Sequence, residues 1–271
     1  MRSRNAEMRN NLHPAVCDLH VHTKHSCDSQ AELEAHCIQA LQTGVDTLCF
    51  TDHVDYNVND YGYGYYDPEA FFGDFLRAKE KYGARLTLLC GIEFSEPHLY
   101  REELAALSKL PYDYILGSVH YWYRDMFPSL MVRECVPIET CYAHYWDEVL
   151  AAVRAGGFDA LGHMDFPKRY YNQLLFDHDK IHEICIAMLK NHICPEINTS
   201  SLRKNADEPM PGRDILGIYK SCGGKYVTVG SDAHRPEELA AGNAQARELI
   251  EYFGFEEINF MQREAREIVC H

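Results

Sequence analysis

The stretch Asp18-Leu19-His20-Val21-His22-Thr23 decides how the rest of the sequence is interpreted. The apolar pattern from Val16 to His22 is typical of a buried strand, and histidines at positions i and i+2 of a strand point to the same side. One metal ion could therefore bind both imidazoles. The pair alone is weak evidence for a metal site, because a strand can also carry two polar residues by chance.

Composition favours a large, acidic protein. The chain has 271 residues, 46% of them hydrophobic, which suits a single α/β barrel. It contains 26 Lys and Arg residues against 41 Asp and Glu residues, for a formal net charge of -15. This charge argues against nucleic acid as a partner, since binding to the phosphate backbone needs a basic surface. The sequence leaves the oligomeric state open.

The cysteines and the apolar segments favour a cytoplasmic protein. Eleven cysteines are scattered without a C-x-x-C pair, and Cys49, Cys90 and Cys194 fall in apolar runs that resemble strand interiors. Unpaired cysteines in apolar runs are typical of reduced side chains in a protein core. The segment 1–11 is polar, unlike a signal peptide, and no apolar run is long enough to span a membrane. We therefore expect a cytoplasmic protein with no membrane partner.

Strand-like apolar runs alternate with helical patterns along the chain. The predicted strands are Val16–His22, Thr47–Thr51, Leu86–Glu93, Tyr114–Val119, Ala160–His163, Ile193–Asn198 and Tyr226–Ser231. The predicted helices are Ala31–Thr43, Pro68–Tyr82, Glu102–Leu107, Glu139–Ala155, His178–Asn191, Asp214–Ser221 and Glu237–Phe253. Repeats of this kind form parallel sheets. Seven strands without a Rossmann glycine fingerprint favour a closed or nearly closed barrel.

Few regions of the chain lie outside the alternation of predicted strands and helices. No linker rich in Pro, Gly or Ser divides the chain, so we expect one domain over residues 1–271. The segment Tyr56–Tyr66 is too irregular for either period and is predicted to be a long loop. The segment Phe255–His271 is predicted to be a small strand or helix that closes the barrel.

Every predicted strand ends in a polar group, and in a parallel barrel these ends lie on the face that carries the active site. Six histidines and two carboxylates are delivered there: His20, His22, His53, His120, His163, His234, Glu93 and Asp232. Any one of them could be an ordinary surface or hydrogen-bonded residue. Together they form a ligand set suited to Zn, Mn or Fe, and they are too many for one ion. We therefore expect two to three divalent transition metal ions, with Glu93 as a bridge.

These motifs resemble those of the polymerase and histidinol phosphatase (PHP) superfamily of metal-dependent phosphoesterases. The matching segments are Asp18–Thr23, Thr51–His53, Gly117–His120 and Gly230–His234. The resemblance implies a distorted (β/α)7 barrel with a trinuclear site at the C-terminal ends of the strands. One ion would bind His20, His22, Glu93 and Asp232, a second Glu93, His120 and His163, and a third His53, His234 and a residue of the first loop.

The first-loop ligand has two candidates in the segment Lys24–Ser29. The family places an Asp or a His a few residues beyond His22, and both Asp28 and His25 fit that description. Asp28 is preferred. Its alternative role is to cap the helix that begins near Ala31, although Ser29 could take that role instead.

Several ions around one water would explain phosphoester hydrolysis. A metal-bridging water loses a proton near neutral pH and attacks phosphorus as hydroxide, while the ions neutralise the developing charge. Phosphate monoesters also need cationic groups, and Arg169 and Arg203 follow predicted strand ends. Each could equally form a surface ion pair. Asp165 is a candidate to protonate the leaving group, or else to orient His163.

The segments Asn198–Lys204 and Tyr112–His120 resemble the histidinol-phosphatase branch, which implies hydrolysis of L-histidinol phosphate in histidine biosynthesis. The loops offer aromatic side chains that could stack on its imidazole: Tyr56, Tyr61, Tyr121 and Trp122. An alternative is another small phosphate ester, a nucleotide or a phosphotyrosine peptide. A metal-binding module without activity and a hydrolytic deaminase or amidase fit the full set of motifs less well.

Overall fold

The computed structural model describes residues 15–204 and 206–268. Its strands are β1 Cys17–Val21, β2 Thr47–Val54, β3 Thr87–Ser95, β4 Tyr114–Ser118, β5 Ala160–Leu161, β6 Cys194–Asn198, β7 Tyr226–Gly230, β8 Glu256–Met261 and β9 Glu264–Glu267. Its α-helices are α1 Leu33–Thr43, α2 Pro68–Tyr82, α3 Arg101–Leu107, α4 Pro128–Arg133, α5 Ile138–Ala155, α6 Lys168–Tyr171, α7 His178–Lys190, α8 Arg213–Ser221 and α9 Asn243–Phe253.

The first seven strands are parallel neighbours in sequence order. Just beyond β7, Ala233 forms a parallel bridge with Val21, and its carbonyl accepts a hydrogen bond from the His22 N–H at 2.8 Å. The last strand of the seven therefore returns to the side of the first. With β5 only two residues long and a register shift in β1, this is the distorted (β/α)7 barrel that the family resemblance implies.

Two apolar layers follow from the alternation of side chains along the strands. One fills the space between the strands and the outer helices, where α5 buries one face against the barrel. The other fills the barrel interior and consists of Leu19, Cys49, Leu89, Tyr114, Leu116, Ala160 and Cys194 together with Ile258 and Phe260. The strands are thus buried on both faces, as is usual for parallel sheets.

The C-terminal hairpin β8–β9 contributes the last two residues of that interior layer. Its strand β8 pairs with the beginning of β7 at Tyr226, and the backbone of Arg263 bonds to that of Asp113 just before β4. The hairpin therefore covers the amino-terminal end of the barrel. The sequence predicts that this C-terminal segment closes the barrel. Its described part, residues 255–268, covers the end of the barrel, whereas the Val21–Ala233 bridge joins β1 to the segment after β7 and so closes the ring of strands.

The long helices agree with the sequence pattern, whereas the connections at the carboxyl end of the barrel contain short helices that the pattern does not predict. These are α4, α6 and three short 3-10 segments, Tyr123–Asp125, Ser200–Lys204 and Pro236–Glu238. The sequence pattern predicts the final helix from Glu237, but the helix begins at Asn243, because Gly242 adopts a left-handed φ of 83° immediately before it. The segment Tyr56–Tyr66 is a loop, as expected. Among the described residues, no helix is long and apolar enough to cross a membrane.

The hairpin contact gives a test of the fold. Phe260 is buried and stacks on Tyr114 with ring centroids 5.2 Å apart. We expect Phe260→Ala to lower the free energy of unfolding in urea by about 3–5 kcal/mol, because it leaves a cavity under the barrel. The neighbouring Met261 is partly exposed, and Met261→Ala should cost less than about 1 kcal/mol. Equal losses from the two variants would contradict this packing.

Candidate metal centre

The structure brings all nine predicted metal ligands together at the carboxyl end of the barrel. His20 lies in β1, His53 in β2 and Glu93 in β3, and the others follow strand ends within a few residues. The site is buried at its base, where His20, His22, Glu93 and His163 have almost no exposed surface. It opens toward Asp28 and His234, which are partly exposed.

Glu93 lies between two groups of imidazoles. Its Oε2 is 3.1 Å from His20 Nε2, 3.1 Å from His53 Nδ1 and 3.5 Å from His22 Nε2. Its Oε1 is 2.9 Å from His163 Nε2 and 3.4 Å from His120 Nε2. The two oxygens of one carboxylate thus face different sets of ligand atoms, which is the arrangement expected of a bridge between two metal ions.

The two aspartates supply the open side of the centre. Asp232 Oδ1 is 3.3 Å from His22 Nε2 and 3.5 Å from His234 Nδ1. Asp28 Oδ2 is 2.8 Å from His234 Nε2 and 3.6 Å from His53 Nε2. A third group of ligand atoms therefore forms beside the two that share Glu93.

The geometry of these atoms fits metal binding. The described residues contain four groups whose possible ligand atoms all lie within 4.8 Å of one another. They are His20, His22 and Asp232; Glu93, His120 and His163; His22, Asp28, His53 and His234; and His53, Asp55 and His120. His22 Nε2 and His53 Nδ1 are buried beside carboxylate oxygens, but neither forms a well-oriented hydrogen bond among the described residues. Such nitrogens are costly unless something binds them.

The structure distinguishes between His25 and Asp28, the two candidates for the first-loop metal ligand. His25 Nε2 lies 3.0 Å from Asp74 Oδ2, and its ring packs edge-on against Phe71. It therefore points toward α2 and away from the centre. Asp28 is the candidate that joins His53 and His234, and Ser29 Oγ accepts the Ala31 N–H ahead of α1.

The charges in the centre compensate one another. Burial alone would raise the pKa of Glu93, but His20, His53 and His120 hold it well below its ordinary value. Burial likewise opposes ionisation of Asp232, yet His20 and Arg169 keep its pKa low. Both carboxylates are thus ionised and able to act as ligands. For His22, burial and then the charges of neighbouring imidazoles lower the pKa to about 3, so its ring is neutral at physiological pH.

Two carboxylates beneath the centre were not singled out in the sequence. Glu196 in β6 lies 2.6 Å from His20 Nδ1 and also accepts the His163 N–H at 2.9 Å. Asp18 accepts hydrogen bonds from the N–H and hydroxyl of Ser231 and so ties β1 to the segment after β7. A carboxylate in the middle of an apolar strand was the available signal for Glu196, because a buried charge needs a partner.

Arg169 and Arg203 both reach the centre, through Asp232. Arg169 donates to Asp232 Oδ2 at 2.8 Å and to the Ser200 hydroxyl, and its guanidinium lies over the Phe166 ring. Arg203 donates to the backbone carbonyls of Ser231 at 2.7 Å and Asp232 at 2.9 Å. Asp232 has a φ of 56°, an unfavourable conformation for a residue with a side chain, and Arg203 holds this strained turn.

Both arginines line a cleft of about 1560 Å³ above the centre. Its wall combines aromatic, acidic and further basic side chains: Tyr61, Tyr121, Phe127, Tyr170, Asp60, Asp125, Glu237, Glu238, Arg124, Arg133, Lys204 and Arg235. Two of the four aromatic residues proposed for stacking lie elsewhere. Tyr56 packs against Phe94 and Tyr100, and Trp122 is buried against Tyr145.

Asp165 does not reach the cleft. It is fully buried, and its Oδ2 accepts the Gly212 N–H at 3.2 Å and lies 3.4 Å from Lys168 Nζ. Burial raises its pKa. His163 Nδ1 has no hydrogen-bond partner among the described residues, so Asp165 does not orient that ring by a direct hydrogen bond. The structure thus gives Asp165 contacts with a neighbouring lysine and loop instead of the roles predicted for it.

A parallel barrel with a cluster of imidazoles and carboxylates at its carboxyl end is characteristic of barrel proteins with polynuclear metal centres. The chain belongs to the PHP domain family, whose profile matches residues 18–200. It is 28% identical over 242 residues to a Thermotoga maritima protein named probable histidinol-phosphatase, covering 89% of this chain and 94% of that one. It is 24% identical to the histidinol-phosphatase of Lactococcus lactis, covering 89% and 92%.

Among solved structures, the fold is similar to the histidinol phosphate phosphatase of Lactococcus lactis in complex with zinc, L-histidinol and phosphate. The TM-score is 0.79 at 22% sequence identity, and the match covers 93% of this chain and 99% of the other. At this level of identity the similarity shows the fold. The predicted barrel is therefore confirmed by the Val21–Ala233 bridge together with this similarity of fold.

Loss of the central carboxylate should empty more than one metal position. We expect Glu93→Ala to lower the zinc bound per chain, measured by elemental analysis after dialysis, by more than one ion, because Glu93 faces two groups of ligands. His182→Ala on the exposed face of α7 is the control and should leave the zinc content unchanged. Equal zinc content in Glu93→Ala and the control would mean that Glu93 does not bridge.

Proposed function

We propose that this protein is a metal-dependent phosphatase that hydrolyses L-histidinol phosphate to L-histidinol and phosphate. The observation that carries the proposal is the position of Glu93 between two groups of imidazoles, directly below a cleft that contains Arg169 and Arg203. Phosphate ester hydrolysis needs this combination of metal ligands and cationic groups. We propose all 271 residues as one domain that performs it.

Two to three divalent ions, Zn, Mn or Fe, would be held by the nine clustered side chains. The nitrogen and carboxylate ligands are those that these metals bind, and thiolates are absent from the four groups among the described residues. When bound, the ions would supply a deprotonated water as nucleophile and neutralise charge on phosphate oxygens. The ligands must be unprotonated to bind them, so metal affinity should fall on acidification.

The two arginines have different parts in this proposal. Arg169 is mostly buried and holds Asp232 with one guanidinium nitrogen. Because its side chain also lines the cleft, we propose that its guanidinium donates to a phosphate oxygen there. Arg203 uses Nη1 and Nη2 on the turn at Asp232, so we propose that it positions this ligand as well as adding positive charge beside the phosphate.

The substrate assignment rests on the relatives and on the chemistry of the cleft. Several relatives that match most of the chain carry the name histidinol-phosphatase. L-Histidinol has a cationic amine and an imidazole, and the cleft wall offers carboxylates at Asp60 and Glu237 and aromatic faces at Tyr61 and Tyr121. These groups suit a small cationic phosphate monoester, and the net charge of -15 does not favour nucleic acid.

A second candidate is another phosphate ester, such as a nucleotide or a phosphotyrosine peptide. The size of the cleft supports this candidate, because its volume of about 1560 Å³ exceeds the usual 300–1,000 Å³ of a small-molecule site. The metal centre would serve either substrate.

A phosphate-release panel distinguishes the two candidates. We expect the purified zinc-loaded protein to have its highest kcat/KM on L-histidinol phosphate, compared with nucleoside monophosphates, phosphotyrosine and a simple aryl phosphate. The amine and imidazole add contacts that the other esters lack. An aryl phosphate that performs as well as L-histidinol phosphate would reject the substrate assignment and leave the metal centre untouched.

The contributions of the two arginines are tested by measuring the rate and the metal content of each variant together. Arg169→Ala should lower kcat/KM by about ten- to a hundred-fold or more for every monoester, since a charge-assisted hydrogen bond contributes about 1.5–3 kcal/mol. Arg169→Lys keeps the charge and should recover part of the rate. Arg203→Ala should lower the rate similarly, and both alanine variants should weaken metal binding, because each arginine holds Asp232.

The control is Arg85→Ala, because Arg85 is exposed just before the amino end of β3. This variant should retain full activity. Full kcat/KM in Arg169→Ala with intact metal content would remove Arg169 from the proposed phosphate site.

A further inference from the structure

A buried serine links His120 to Asp55, a member of the four candidate groups that is not among the nine predicted ligands. Ser95 Oγ lies 2.5 Å from Asp55 Oδ1 and 3.0 Å from His120 Nδ1. A hydroxyl has one hydrogen, and an ionised carboxylate can only accept. With Asp55 ionised, Ser95 donates to Asp55 and accepts from His120 Nδ1–H. This leaves His120 Nε2 unprotonated and directed at Glu93 Oε1, 3.4 Å away.

The same arrangement occurs a second time, at His22. Ser26 Oγ donates to Asp52 Oδ1 at 2.9 Å and lies 3.0 Å from His22 Nδ1. Its hydrogen is committed to Asp52, so Ser26 accepts from His22 Nδ1–H. The opposite nitrogen, His22 Nε2, is buried and unpartnered among the described residues and faces Asp232.

We propose that Ser26 and Ser95, each anchored by an aspartate, are positioning residues that fix the Nδ1–H tautomer of His22 and His120, so that both rings present Nε2 to the metal centre. This inference rests on the proposed metal dependence and deepens it. Two further histidine rings also have an acceptor at Nδ1, which leaves Nε2 directed at the centre. The acceptor is the Glu196 carboxylate for His20 and the Asp232 carbonyl for His234.

The serines matter because a neutral imidazole can carry its hydrogen on either nitrogen. With Nε2 protonated, the ring has no lone pair toward the centre and cannot bind an ion there. Partners beyond the ligands that fix ring orientation typically change metal affinity by about 10–100-fold. Removing the serine hydroxyl would free the tautomer and leave a buried Nδ1–H without an acceptor.

The experiment measures zinc affinity by competition with a chromophoric chelator. Ser26→Ala and Ser95→Ala should each weaken the tightest affected zinc site by about 10–100-fold, and Ser26→Thr and Ser95→Thr, which keep the hydroxyl, should recover most of it. The matched control is Ser201→Ala, which removes an equally buried hydroxyl that donates to the Glu208 carbonyl at 2.8 Å. Unchanged affinity in both serine-to-alanine variants, or an equal loss in the control, would overturn the proposal.

A second readout reports the tautomer directly. Long-range ¹H–¹⁵N correlation spectra of the zinc-loaded protein, with ¹⁵N-labelled histidine, should show Nδ1–H for His22 and His120, identified by the signals that change in the serine variants. Nε2–H in these rings would overturn the proposal even if zinc affinity fell. Neither measurement uses a substrate. A protein that fails on L-histidinol phosphate but gives these results would therefore refute only the substrate assignment.

Discussion

Glu93 is a fully buried carboxylate that faces five imidazoles, and the rest of the carboxyl end of the barrel is arranged around it. A buried charge without compensation would cost several kcal/mol, so its position is tolerable only because cationic or metal-bound groups surround it. The register of the sheet sets this arrangement, since His53 in β2 lies directly beside Glu93 in β3. The barrel brings the remaining ligands to the same point because all parallel strands end on one face.

A layer of hydrogen bonds supports that carboxylate and its imidazoles. Glu196 contacts His20, two serine–aspartate pairs contact His22 and His120, and Arg203 holds the turn that presents Asp232. Most of these groups are buried, so their rotamers are restricted before any ion binds. The base of the site is therefore rigid, while its open side, at Asp28 and His234, is formed by loops.

The sequence predicts the parts of this structure that depend on periodicity. The seven strands, the helix α2 over its full length and eight of the nine proposed ligands follow from apolar runs and the polar residues that end them. The ninth, Asp28, is implied by the family resemblance. The connections do not follow from periodicity, because short helices such as α4 and α6 form through tertiary contacts. The choice of Asp28 over His25 depends on the contact of His25 with Asp74, more than forty residues away in the sequence. The burial of Asp165 against Lys168 is likewise a property of packing, which a single sequence does not encode locally.

The bridging role of the Glu93 carboxylate is tested most directly by locating the bound metal ions. Crystals of the zinc-loaded protein, with diffraction data recorded on both sides of the zinc absorption edge, would locate every bound ion. We predict two or three anomalous peaks at the carboxyl end of the barrel, two of them bound by separate oxygens of Glu93, and His22 and His120 bound through Nε2 at about 2.0–2.1 Å. A single peak, or two peaks of which only one contacts Glu93, would contradict the bridging role of this residue.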